Sequence, residues 1–129
     1  MSSVQVYAYK FEQAFKQKEI FLVTERKVSV WFNIFNQAIF KETLPRFHQL
    51  KLIELEVPYY GMCEITSDQE YILELQEKFP NKKMFLEILI HEMIHLHEYI
   101  KYGKMSHGSN FLKWRKKLNR FGLELKRVY

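Results

Sequence analysis

The sequence predicts an α+β fold in which a small three-stranded sheet, antiparallel or mixed, packs against helices around one long buried helix. Three observations carry this reading. Val28, Trp31, Phe32, Phe35, Ala38 and Ile39 recur at helical spacing on one side of a wheel. Residues 53–75 hold three short apolar runs broken by Pro58 and by Ser67-Asp68. Leu86, Leu89, Ile90, Met93, Ile94 and Leu96 cover most of a helical circumference, the pattern of a helix surrounded by protein.

Taken in order, the first twenty or so residues show no clear period. The helix from Val28 should stop ahead of Leu44-Pro45, because proline disfavours helical geometry in the residue before it. Ile53, Glu54, Leu55, Glu56 and Val57 alternate as a strand does, with apolar side chains on one face and carboxylates on the other. Tyr59 to Thr66 and Tyr71 to Leu75 read as two more strands, joined by a tight turn at Ser67-Asp68. Three strands in succession suggest an antiparallel meander. After Pro80, Asn81 is placed to cap a long helix that runs to about Tyr102, where Gly103 supplies the left-handed residue that closes many helices. A final helix spans about Ser109 to Phe121.

A chain of 129 residues with no repeat and no Pro/Gly/Ser-rich linker is expected to form a single domain over residues 1–129. It is 47% hydrophobic and 16% aromatic, enough apolar surface to offset the entropy of ordering. No run approaches the roughly twenty apolar residues needed to cross a bilayer, and FLEILI, Phe85 to Ile90, already contains Glu87. The N-terminus lacks the pattern of a secretory signal. The lone Cys63 can form neither an internal disulfide nor a Cys-rich zinc cluster, which fits a reducing cytosol. These features predict a soluble monomer, cytoplasmic or nucleoid-associated, with no membrane contact.

Four of the five histidines fall between His91 and His107. His91 and His95 are one turn apart on the central helix, with Glu92 beside them, giving H-E-x-x-H. In that motif neutral imidazoles bind zinc, and the carboxylate takes a proton from the metal-activated water. Solvated helices also carry such pairs by chance, but this helix is the most apolar of the chain. Two imidazoles and a carboxylate would each bear a desolvation cost there unless something compensated them, and one Zn2+ ion does so.

A catalytic zinc needs a third protein ligand and an open position. His97 is turned about 200° from His95 and faces away. Glu98 shares the His91 and His95 side but lies about 10 Å along the axis from His91, so a supporting role suits it better. His107 is the expected third ligand, because Gly103 ends the helix and the short segment Lys104 to Ser106 lets the chain double back. His48 is read as structural or exposed. Tyr59, Tyr60 and Tyr102 are candidate donors to a tetrahedral oxyanion.

With these residues identified, the sequence resembles the SprT-like (Spartan-type) family of zinc metalloproteases. The resemblance rests on His91-Glu92-Met93-Ile94-His95 and on His107-Gly108-Ser109-Asn110-Phe111. The helix WFNIFNQAIFKETLP and the strand GMCEI are similar to the family's as well, so the likeness covers about Val28 to Phe121. It departs at Ser109-Asn110, where the family usually has Gly-Pro, and the single cysteine leaves no zinc ribbon. What the resemblance implies is a minimal catalytic core, of the sort a phage or mobile element encodes, with a zincin-like fold and proteolysis of DNA-associated proteins.

The last helix sorts into an apolar arc, Phe111, Trp114, Leu118 and Phe121, and a basic arc, Lys113, Lys116, Lys117 and Arg120. Seven basic residues and one acid, Glu124, lie between Phe111 and Arg127, so the net charge of +5 is concentrated there. Such a stripe can neutralise DNA phosphates without reading sequence, although solvated helices carry charged faces too. Arg115, nearer the apolar arc, is expected to pair with a carboxylate. Two functions follow: a zinc endopeptidase with Glu92 as general base and a polypeptide substrate, or a zinc-stabilised binding module for DNA or a protein partner with little turnover.

Overall fold

The computed structural model describes residues 2–54 and 59–126. The stretch without a clear period is a helix, α1 (Ser3–Phe15). Ser2 opens it with a reciprocal cap: its Oγ accepts the Gln5 N–H at 3.2 Å, and Gln5 Oε1 accepts the Ser2 N–H at 2.8 Å. Its inner side contributes Phe11 and Ala14 to the core.

A short strand, β1 (Phe21–Leu22), leads into α2 (Glu25–Ala38), which buries the expected face of Val28, Trp31, Phe32 and Phe35. Asn36 is half-buried beside that face. Its side-chain amide donates to the Leu44 carbonyl at 3.0 Å and accepts the Leu44 N–H at 3.1 Å, which fixes the turn ahead of Pro45.

Two corrections concern the sheet. The first strand, β2 (Gln49–Ile53), lies four residues earlier than the alternation at Ile53 to Val57 suggests, and Leu55 to Val57 fall outside the described residues. Its start is fixed by His48, whose backbone N–H donates to the Tyr71 carbonyl at 2.8 Å while its ring Nδ1 accepts the Tyr71 N–H at 2.8 Å. The three strands also do not form a meander. β3 (Gly61–Ile65) and β4 (Tyr71–Gln76) make the expected antiparallel pair, but β2 pairs parallel to β4 on its far side, giving the order β2-β4-β3. Local alternation reports which face of a strand is apolar and carries no information on strand order. The result leaves β3 at an edge. β1 pairs with β5 (Lys78–Phe79) in a separate two-stranded sheet that the sequence did not signal.

The central helix α3 (Lys82–Tyr102) begins and ends where expected: the Asn81 side chain accepts the Met84 N–H at 2.9 Å, and Gly103 closes it at φ 75°. Every residue from Phe85 to Leu96 is buried. Gly61 brings β3 close to this helix, since a Cβ there would stand 2.7 Å from Ile88 Cγ2. The expected last helix is two short ones, α4 (Ser109–Leu112) and α5 (Trp114–Asn119), with Lys113 between them. Phe111, Leu118, Phe121, Leu123 and Leu125 join the core that α1, α2 and α3 share. No described helix is long and apolar enough to cross a membrane.

Candidate metal centre

His91 and His95 project from the same side of α3, both buried, and His107 returns from the loop after Gly103 to stand over them at the exposed rim. Their Nε2 atoms form a triangle with edges of 3.2 Å (His91 to His95), 3.1 Å (His95 to His107) and 3.2 Å (His107 to His91). Three nitrogens about 2.0 Å from one tetrahedral ion would be about 3.3 Å apart. The triangle therefore has the dimensions of three corners of such a site, and the three residues lie close enough to bind one metal ion.

Proton placement makes the same point. His91 Nδ1 faces the Lys126 carbonyl at 3.1 Å. A carbonyl only accepts, so Nδ1 carries the proton and Nε2 keeps its lone pair. His95 Nδ1 faces the Glu98 carboxylate at 3.4 Å, which favours the same tautomer. Two lone pairs then meet 3.2 Å apart. That arrangement is repulsive between neutral rings and becomes favourable around a cation. Protonation is not an easy remedy: burial, then the neighbouring His95 and His107, push His91 down to about 3. Burial and His107 likewise lower His95, against an opposing effect of Glu98. The donor set fits a divalent ion of borderline softness such as zinc.

Glu92 lines the same cavity as the three histidines, together with Gly61, Met62 and Cys63 of β3. Its Oε2 stands 4.0 Å from His91 Nε2, beyond hydrogen-bonding distance, so the histidine does not consume the carboxylate. Burial raises its pKa to about 8, partly offset by a hydrogen bond from the Cys63 backbone. The Cys63 thiol, buried beside Glu92, is pushed up to about 12 and stays protonated at neutral pH.

Other expectations fare differently. His97 does face away, packing its ring against Phe40 and Trp114 at 6.0 and 5.0 Å. None of the three candidate tyrosines lines the histidine cavity. Tyr59 donates to Glu74 at 3.0 Å, Tyr60 packs on Phe79, and Tyr102 lines a different cleft. Arg115 is exposed and its Nε donates to the Leu125 carbonyl at 3.1 Å, a main-chain acceptor in place of the expected carboxylate. Of the four basic residues expected to share a face, Lys113 and Lys117 line that second cleft with Lys101 of α3, whereas Lys116 and Arg120 do not. Neither the Lys126 carbonyl behind His91 nor Ser106 beside Glu98 has a local signature, since both meetings depend on how the chain folds back.

The raised Glu92 pKa has a measurable sign. A carboxyl whose folded pKa exceeds its unfolded one contributes stability below the unfolded value, and that contribution is lost as pH rises through the folded value. The window here runs from the ordinary 4.5 to about 8. Glu92→Gln has no such proton to lose, so in the presence of a chelator it should be more stable than the parent by roughly 2–4 kcal/mol near pH 8.5, and by little near pH 5. Urea unfolding at the two pH values measures this; a difference that does not change with pH would contradict it.

Residues 28–128 match the SprT-like family, a span that contains all of α2 after its first three residues, the three-stranded sheet, α3 and the loop bearing His107. No curated protein and no solved structure matches the chain. With the match covering most of its length and all of the histidine site, the chain belongs to the SprT-like family.

Proposed function

We propose that this protein is a zinc-dependent endopeptidase with a zincin-like catalytic arrangement, in which His91, His95 and His107 hold one Zn2+ and Glu92 is the general base. The observation that carries the reading is the Nε2 triangle of 3.1 to 3.2 Å with a buried carboxylate in the same cavity. When bound, zinc supplies the Lewis acidity that polarises a peptide carbonyl and brings the pKa of water towards 7. Glu92, which burial otherwise keeps protonated, would be ionised beside a bound cation and so able to act as the base. Glu92 then takes the proton of the attacking water and delivers it to the amide nitrogen as the peptide bond breaks. The Cys63 N–H holds the carboxylate in place during both transfers.

β3 supports the choice of a polypeptide substrate. It is an edge strand, and its residues Gly61, Met62 and Cys63 border the histidine cavity. An extended peptide that adds to this edge would lie across Glu92 and the three histidines, with main-chain hydrogen bonds supplying affinity.

DNA-associated protein is the proposed substrate class, in the cytoplasm or on the nucleoid. The support is a cationic cleft lined by Lys101, Lys113 and Lys117 together with Trp114 and Asn110. The Lys117 pKa is lowered by burial and then by Lys41 and Arg120. Lys41 and Arg120 thus add positive charge near the rim of this cleft, and a phosphate backbone is the kind of partner that such charge attracts.

Glu92→Gln is expected to keep one zinc per chain while cleavage of an unstructured polypeptide, and of a DNA-bound protein, falls about 10²- to 10⁴-fold. Retained cleavage would remove Glu92 from the chemistry; a parent chain that binds zinc and cleaves neither substrate would favour the binding module. Replacing Lys101, Lys113 and Lys117 together by alanine should weaken binding to duplex DNA and reduce the slope of log affinity against log salt by about 3. Fluorescence anisotropy over a salt series reads this, and an unchanged slope would place DNA elsewhere or nowhere on the protein.

A further inference from the structure

Glu98 is 2% exposed, and a carboxylate that deeply buried costs free energy unless it is well bonded. Its bonds all run to the histidine site. Oε1 accepts the Ser106 N–H at 2.8 Å and lies 3.4 Å from His95 Nδ1, while Oε2 accepts the Ser106 hydroxyl at 3.0 Å. Ser106 Oγ in turn accepts the Gly108 N–H at 3.2 Å. Ser106 and Gly108 flank His107. One carboxylate thus grips the ring of a histidine on α3 and, through a serine, both sides of the loop histidine that must meet it.

We propose that Glu98 is a positioning residue for the metal site: through Ser106 it holds the His107 loop against α3, and through Nδ1 it orients His95, so that three imidazole nitrogens converge before an ion arrives. This rests on the metal reading proposed above. Without the clamp, the exposed His107 would have to be ordered at the moment of binding, and that entropic cost would appear as weaker affinity and faster release. The hydrogen bond to Nδ1 also raises the basicity of the ring as a ligand.

The test is zinc affinity of the metal-free full chain, by competition with a chromophoric chelator, alongside the visible spectrum of the cobalt-loaded protein and the unfolding midpoint without metal. Glu98→Ala should weaken zinc binding roughly 10- to 100-fold and alter the cobalt bands. Glu98→Gln should fall between Glu98→Ala and the parent, because its amide oxygen still accepts from Ser106. Ser106→Ala, at an exposed position, should weaken binding by a smaller factor and decides the matter if Glu98→Ala fails to fold. A lower unfolding midpoint with affinity and cobalt spectrum unchanged would mean that Glu98 only supports the fold, and would overturn the proposal. Parent-like affinity in all three variants overturns this proposal alone; a parent chain that binds no zinc overturns the metal reading with it.

Discussion

Two imidazole lone pairs meeting 3.2 Å apart on a buried helix are the constraint around which the site is arranged. Water would screen them at a surface, but His91 and His95 are buried in a helix whose residues from Phe85 to Leu96 are all enclosed. Burial makes the protonated rings costly, and the hydrogen-bond partners on Nδ1 send both lone pairs inward. A cation relieves that strain. The third imidazole and Glu92 line the same cavity, so one ion would compensate several groups together.

The rest of the fold serves to aim these groups. The parallel pairing of β2 with β4 leaves β3 at the edge beside the cavity, and Gly61 lets that edge lie close to α3. The C-terminal segment folds back after Gly122, burying Leu123 and Leu125 and placing the Lys126 carbonyl behind His91. Arg115 holds the same segment through the Leu125 carbonyl. Residues far from the histidines in sequence thus set the direction of a ring on the central helix. Glu98 lines the cationic cleft, and Ser106, which it binds, lines the histidine cavity.

Where a local rule governs, the sequence was informative. The caps at Asn81 and Gly103 bound α3, the apolar face of α2 is the one its spacing describes, and i, i+4 spacing puts His91 and His95 together. The return of His107 was legible because a glycine closes the helix four residues before it. Strand order was not, since alternation is silent on which neighbour a strand takes, and the register of β2 depends on a His48 to Tyr71 clasp across 23 residues. α1 has little periodic signal because its amphipathic face is narrow, Phe11 and Ala14 being its buried members. The carbonyl of Lys126 carries no side-chain signature at all.

The central claim is that His91, His95 and His107 close around a single zinc ion. Zinc K-edge X-ray absorption on the purified, zinc-loaded chain tests it most directly. Three imidazole nitrogens at about 2.0–2.1 Å, with the remaining position filled by a lighter oxygen or nitrogen scatterer, is the predicted result. Fewer than three imidazoles, or a sulfur at about 2.3 Å from Cys63, would contradict it.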